Sequence, residues 1–353
     1  MSLLSSRLVL PLHLSKIVLS RTLAVAVALG GLAVALDLVE SAAVVLERED
    51  GGILRYLALR APLIMTVVAP VALIIGPVLA FLSLSTRSEF TILRAAGATT
   101  YRLLLMLAPL AILIGAGLFV LNDRVAPMLE GRLITWLDDE PELESGSFWA
   151  RTTTSVVRAE ASSRAGDRLF NLNVYEIDAE GRLTARVNAD AAWFDGEVWR
   201  FERGARLEPG RGASVSVDGR VWETPIKPAN VRALATPATK VGGETAGRML
   251  TGAWAGNRTS DYYLVRVFRG YSAALTPALM FLLAAPAAFG TRRGGGIGKR
   301  AALAVGLGFG FLVLDGMLAA LGETGNLPPA LAAFGATAMF AAIGAYALIT
   351  LEE

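Results

Sequence analysis

Two residue types that usually carry enzyme chemistry are nearly missing: His13 is the single histidine, and the chain contains no cysteine. Histidine-based nucleophilic triads and the common imidazole or thiolate metal sites therefore have no side chains to be built from. Carboxylates, arginines and one glycine cluster remain. The Asp and Glu residues of the middle of the chain show no spacing that separates an acid–base pair from a solvated face. The cluster Gly294-Gly295-Gly296-Ile297-Gly298-Lys299-Arg300 looks like a phosphate loop, yet Arg293 stands where such a loop needs its first glycine, and no strand pattern precedes it. It reads instead as a basic turn. The chain is expected to be no enzyme and to bind no cofactor or metal, so any ATP-driven work must come from a partner that holds the nucleotide and its Mg.

The remaining feature with chemical character is Thr86-Arg87-Ser88-Glu89-Phe90-Thr91-Ile92-Leu93-Arg94-Ala95-Ala96-Gly97-Ala98-Thr99, a charged helical pattern between two apolar runs. Thr86 and Glu89 have the spacing of a capping box, in which each side chain meets an unsatisfied backbone N–H at a helix start. Glu89 also lies near the positive end of the helix dipole. The predicted helix, about 86–99, offers Glu89, Phe90 and Arg94 to a partner.

The elements that must hold this segment are membrane spans. Hydrophobic residues make up 54% of the chain, charged residues 18%, and the mean hydropathy is +0.52, a composition outside the soluble range. A bilayer core takes roughly twenty mostly apolar helical residues, and six stretches qualify: 22–46, 63–84, 103–121, 272–289, 301–321 and 330–351. The first is longer than a signal core and contains Asp37 and Glu40 near its outer end, so it reads as a retained span. Arg7, Lys16 and Arg21 precede span 1, Arg87, Arg94 and Arg102 join spans 2 and 3, and Arg292, Arg293, Lys299 and Arg300 join spans 4 and 5. Positive flanks stay inside, which places both termini in the cytoplasm. Arg48, Arg55 and Arg60, mixed with acidic residues, are assigned to the first outer loop.

Residues 122–261 break the apolar pattern and form a separate domain on the outer side. Phe170, Leu172 and Val174 alternate with Asn171 and Asn173, and Ala185, Val187, Ala189 and Ala191 alternate with Arg186, Asn188 and Asp190. Period-2 alternation is the pattern of half-buried strands. Asp195-Gly196, Arg203-Gly204, Pro209-Gly210 and Asp218-Gly219 punctuate it as turns, giving an antiparallel sandwich or open roll. The expected fold is an α-helical membrane protein of six transmembrane helices, three plus three, with an inserted all-β domain: residues 1–121, then 122–261, then 262–353. Inside the spans, charge is expensive, which marks Asp315 as a site candidate with a hydrogen-bonded neighbour. Gly306, Gly308 and Gly310 would let span 5 approach another helix. Arg48, Arg55, Arg60, Arg124 and Arg132, near the outer surface, are candidate anion contacts.

The order of these parts carries a resemblance. Arg87-Ser88-Glu89-Phe90 through Leu93-Arg94-Ala95-Ala96-Gly97, lying after two spans and before a third, resembles the coupling segment of the lipopolysaccharide export permeases, the LptF/LptG family. Leu36-Asp37-Leu38-Val39-Glu40, Val125-Ala126-Pro127 and Ala191-Ala192-Trp193-Phe194-Asp195-Gly196-Glu197-Val198-Trp199 also match that family. Gly308-Phe309-Gly310-Phe311, Leu314-Asp315 and Gly325-Asn326-Leu327-Pro328-Pro329-Ala330 resemble its LptG branch more than its LptF branch.

The resemblance implies an ABC transporter permease subunit of the bacterial inner membrane with a periplasmic β-jellyroll. Its partners would be an LptF-type permease, an LptB-type ATPase dimer docked at Glu89, Phe90 and Arg94, and an LptC-like periplasmic or membrane protein. The substrate would be lipopolysaccharide, taken sideways from the outer leaflet and passed to a periplasmic bridge. Lipid contacts would fall among Asp37, Glu40, Arg55, Arg60, Arg132, Phe170, Leu172, Val174, Phe311 and Asp315. Members of the family often carry lysines where this chain has Asp37 and Glu40, so acidic residues would act there through bridging cations or on a less phosphorylated lipid. Three alternatives stand beside this reading: the LptF-type paralogue, a permease of the FtsX, MacB or lipoprotein-release type, and a membrane-anchored β-domain scaffold. FtsX-type permeases place the outer domain after span 1, whereas here it follows span 3.

Overall fold

The computed structural model describes residues 2–46, 52–86, 99–137, 147–163, 165–178, 180–209, 214–235, 241–252, 254–289 and 297–352. The chain forms two compact units, one of Met1–Leu133 with Val265–Glu353 and one of Ile134–Leu264.

The first unit is helical. Its long elements are α1 (Ser2–Leu46), α2 (Gly52–Thr86), α3 (Thr100–Val120), α7 (Ser260–Phe289), α8 (Ile297–Glu323) and α9 (Pro329–Glu352). Six stretches are long and apolar enough to cross a membrane, one beginning in each of these helices: Leu10–Ala43, Gly52–Ser85, Thr100–Ile134, Ser260–Pro286, Ala301–Glu323 and Pro329–Thr350.

Several stretches outrun the predicted lengths, two of them past candidate site residues. The second helix starts at Gly52, so Arg55 and Arg60 lie on it rather than in an outer loop. The third runs on through a π-helical turn, Leu121–Val125, into α4, Ala126–Leu137. The turn has a local cause: Pro127 has no N–H to give the carbonyl of Asp123, and the Ala126 N–H reaches back to the Leu121 carbonyl in the wider π pattern. Helix formation needs no apolar side chain, so hydropathy under-reads a helix wherever charges begin.

One buried cluster draws on all six long helices, among them Val18, Phe81, Leu107, Phe281, Ala304 and Leu348. Lipid tails are as apolar as leucine, so close packing rather than water exclusion binds such helices. At Gly115 a Cβ would clash with the Ala274 carbonyl oxygen, so α3 and α7 touch backbone to backbone. Of the three glycines predicted to admit a neighbour, Gly308 does so, its Cβ position lying 2.5 Å from Ile74. Gly306 faces open space, and Gly310 meets Phe340 at ordinary contact distance, 3.6 Å. Between α8 and α9 the chain turns through Gly325 at φ +79°, with Gly325 donating to the Gly322 carbonyl and Asn326 to that of Leu321. That is a Schellman stop, and Pro329 then opens α9 without needing a donor.

The second unit is one antiparallel sheet in the order β1-β2-β4-β5-β6-β7, with β3 beside β4 and β8 beside β6. The strands are β1 (Phe148–Arg151), β2 (Ser155–Ala159), β3 (Ala161–Ser162), β4 (Arg168–Ile177), β5 (Leu183–Phe194), β6 (Trp199–Leu207), β7 (Ser214–Ser216) and β8 (Val221–Trp222). Helices α5 (Pro228–Ala235) and α6 (Gly243–Leu250) follow. A single core takes Phe148 from the first strand, Trp222 from the last and Val231 from α5, so the sheet wraps its own interior. This is the open-roll form of the expectation. Trp199 anchors it, buried with its indole N–H given to the Ile226 carbonyl at 2.8 Å and its ring against Phe194 and Trp222.

Candidate functional site

Four polar side chains meet between α1 and α2. Asp37 and Ser41 stand four apart on α1, Tyr56 and Arg60 four apart on α2, and each pair shares one helix face. Arg60 grips the Asp37 carboxylate as a fork, with Nε donating at 3.0 and 2.9 Å to its two oxygens and an Nη donating at 2.6 Å. The Tyr56 hydroxyl lies 2.6 Å from the second Asp37 oxygen and 2.8 Å from the Ser41 hydroxyl. Fork geometry is the strongest form of carboxylate recognition. Arg60 is therefore no spare cation awaiting a lipid phosphate, as the sequence reading had it, and Asp37 is no bare anion. Glu40, Arg55 and Arg132 are exposed.

A second pair ties α7 to α8. Arg269 donates from Nη2 to the Asp315 carboxylate at 2.8 Å and from Nη1 to the Asp315 carbonyl at 3.4 Å. Two turns further along α8, Glu323 faces Arg266 at 3.9 Å. Asp315 thus has the neighbouring-span partner expected of it. The partner itself escaped the sequence reading, because Arg269 lies before the point where the apolar run of span 4 was taken to begin. Phe311, one turn before Asp315, is corrected from lipid contact to interior residue: it is buried, edge-on to Phe340 with ring centroids 5.7 Å apart. The apolar side chains that α8 leaves exposed are Leu303, Phe309, Val313, Met317 and Leu321. Along α1 Leu12, Leu19, Leu23, Val27, Leu36 and Val39 are exposed, and these two spans are the least covered by the chain's own helices.

In the sheet, Leu172 and Val174 lie in the packed core, but Phe170 does not share their face. The reason is a crease across three strands. Asn171 and Arg203 take positive φ, 48° and 46°, and the ladder skips a step beside each. Core positions then fall three apart, Leu169 to Leu172 on β4 and Ala189 to Ala192 on β5, instead of two. The register is the same on both sides of the crease, so no residue is inserted; the turned backbone at Asn171 and Arg203 changes which side chain points inward. Each strained residue is tied locally, Asn171 by its side chain to Glu160 at 3.1 Å and Arg203 by its backbone N–H to Asp218 at 2.8 Å. In the 195–198 turn, Val198 and Glu197 donate backbone N–H groups to the Asp195 carboxylate and Arg200 donates from its side chain, which holds that carboxyl below its ordinary range.

Glu89, Phe90 and Arg94 lie outside the described residues; of the predicted capping box only Thr86 is described, as the last residue of α2. What is described is the far flank. Thr99 caps α3, its hydroxyl accepting the Arg102 N–H at 3.3 Å, so the third span has its own helix start rather than continuing one from the coupling segment. The tandem Thr99-Thr100 ahead of an apolar run was the signal for it.

The comparisons with known proteins agree over nearly the full length. A family model described as "Lipopolysaccharide export system permease LptF/LptG" matches residues 13–350. The lipopolysaccharide export system permease protein LptG of Escherichia coli strain K12 is 23% identical over 320 residues, covering 83% of this chain and 84% of that protein. The LptG protein of Escherichia coli O6:H1 matches to the same extent, 23% over 320 residues.

Proposed function

The chain belongs to the LptF/LptG family of lipopolysaccharide export permeases, and from that premise we propose that it is the LptG-type subunit of an ABC transporter that lifts lipopolysaccharide out of the inner membrane. The observation that carries this reading is the joint order of parts: three spans, an inserted β-domain and three spans, within a family match over residues 13–350. The LptG assignment is favoured over an LptF-type one by the named relatives and by the Gly308–Phe311, Asp315 and Gly325–Ala330 pattern.

In this reading Glu89, Phe90 and Arg94 couple to an LptB-type ATPase dimer, which binds the ATP and Mg. The uncovered apolar sides of α1 and α8 face an LptF-type permease and the lipid held between the two. An LptC-like protein receives the cargo. Both termini are cytoplasmic and the β-domain is periplasmic. Glu40, Arg55 and Arg132 contact the lipid head region, while the compensated Asp37–Arg60 pair stiffens the wall between them. Acyl chains enter the apolar interior to which Leu172 and Val174 belong, and the sheet must open to admit them.

Purification of the tagged full-length chain from its native membrane tests this. Copurification of an ATPase and a second six-span permease is expected, with Glu89→Arg releasing the ATPase while the permease pair persists. Recovery of neither partner overturns transport. Ultraviolet crosslinking from a photoreactive residue at position 55 should capture lipopolysaccharide, and Arg132→Glu should weaken that capture.

A further inference from the structure

The outward face of the β-sheet carries a concavity of about 500 Å³ lined by Asp167, Arg168, Trp193, Phe194 and Glu202. That volume lies within the roughly 300–1,000 Å³ of small-molecule sites, but the lining is mostly charged. Its floor follows one cross-strand row, in which Arg168 on β4 pairs with Trp193 on β5 and Trp193 pairs with Arg200 on β6. Paired residues share a face, so Trp193 stands in the row between two arginines, of which Arg200 is held by Asp195 at 3.0 Å and Arg168 lines the concavity. Trp193 is 39% exposed, and packing does not account for it. Its neighbour Ala192 already fills the core position of β5 at this level, with no exposed surface. Arg168 meets Glu202 only at 3.6 Å, with over half its side chain in solvent, which leaves most of its donors free for a ligand.

An exposed indole flanked by arginines and edged by carboxylates is a recognition set for a charged sugar. The C–H face of a pyranose carries partial positive charge and stacks on the negative π face of the indole. Arginine forks take a carboxylate or phosphate on the ring, and Asp167 and Glu202 accept from hydroxyls. A protein partner would call for a more apolar centre to the patch.

We infer that this concavity is a saccharide site for the anionic sugars of the exported glycolipid. The inference rests on the reading of lipopolysaccharide as the cargo. It separates two tasks within the β-domain: the interior of the sheet serves the acyl chains, and the outer face at β4–β5–β6 guides the sugars. Because the site is shallow and wet, it binds weakly and releases fast, which suits cargo that must move on.

The test uses the full-length chain in phospholipid nanodiscs, free of maltoside detergents whose sugar would compete. The probes are the phosphate- and carboxylate-bearing oligosaccharide released from lipopolysaccharide by mild acid, and neutral maltotetraose as a control. Saturation-transfer NMR should show transfer to the acidic oligosaccharide and little to maltotetraose. Trp193→Ala and Arg168→Ala should each weaken binding by about fivefold or more, Trp193→Phe should retain part of it, and Trp149→Ala, at another exposed tryptophan, should leave it unchanged. Equal transfer to the neutral sugar, or binding untouched by both alanine variants, overturns the site. Should Trp193→Ala misfold, as judged by limited proteolysis, Arg168→Ala and Trp193→Phe decide. Lipopolysaccharide crosslinking without oligosaccharide transfer overturns the sugar site and leaves export standing; loss of both overturns the cargo reading as well.

Discussion

Removing the carboxylate of Asp315 should destabilise the membrane unit mainly through the charge left behind on Arg269. The two groups are 2.8 Å apart, with side-chain exposures of 16% for Asp315 and 31% for Arg269. Breaking a buried ion pair by deleting one partner costs about 3–5 kcal/mol when the survivor is fully buried. An arginine at a helix centre in lipid carries a penalty of roughly 2.5–3.5 kcal/mol. Arg269 keeps about a third of its surface open, so the lower part of these ranges applies, and Asp315→Ala is expected to cost about 2–3 kcal/mol. Replacing both partners with apolar residues of similar size, Asp315→Leu with Arg269→Met, removes the orphaned charge and should return to within about 1 kcal/mol of the parent.

A double-mutant cycle on the full-length chain in bicelles, read by reversible unfolding, measures this directly. The coupling between positions 269 and 315 should be about 2 kcal/mol, well above the roughly 0.6 kcal/mol average of hydrogen bonds between membrane helices. A single alanine variant as stable as the parent, or a double variant no better than Asp315→Ala, would refute the reasoning. Either result would mean that water or lipid headgroups already satisfy Arg269.

Three other outcomes are expected. Gly115→Val places atoms where the Ala274 carbonyl stands and should lose more than about 3 kcal/mol of stability, whereas Gly117→Val, which faces open space, should be close to neutral in the same unfolding assay. Phe311→Ala should cost about 3 kcal/mol by opening a cavity beside Phe340, while Phe309→Ala on the exposed side of α8 should change thermal stability little. The Asp195 carboxyl is held low by the Val198 and Glu197 N–H groups and by Arg200, so the stability it contributes is complete above the ordinary carboxylate range near pH 4 and is lost as pH falls below it. Asp195→Asn should therefore lower β-domain stability at pH 7 and converge with the parent in acid, which hydrogen exchange at the 195–198 turn can follow.

Several features were readable before any contact was known. Six apolar lengths were sufficient for six spans, and alternation on β4 and β5 was sufficient for a sheet. Asp315 announced that it needed a partner because unpaired charge in a span is costly. The ends of the spans were not readable: Arg55, Arg60 and Arg124 terminate a hydropathy window while the helix continues past them. Nor was the face of Phe170, because the positive φ at Asn171 moves the inward set by one place without changing the strand register, and period 2 contains no sign of it. Among Gly306, Gly308 and Gly310 the residue type is the same, and only the neighbour at Ile74 selects the middle one.

Taken alone, the sequence determined membrane class, the count of spans and the place of the β insertion. All of these are properties of runs and intervals along one dimension. Tertiary structure alone decided that Arg60 is held by Asp37, 23 residues away, that Arg269 holds Asp315 across 46 residues, and that Trp193 stands between two arginines on an open face. The rotation of each helix about its axis and the register of each strand choose those partners, and both follow from close packing summed over many side chains, which no local pattern records.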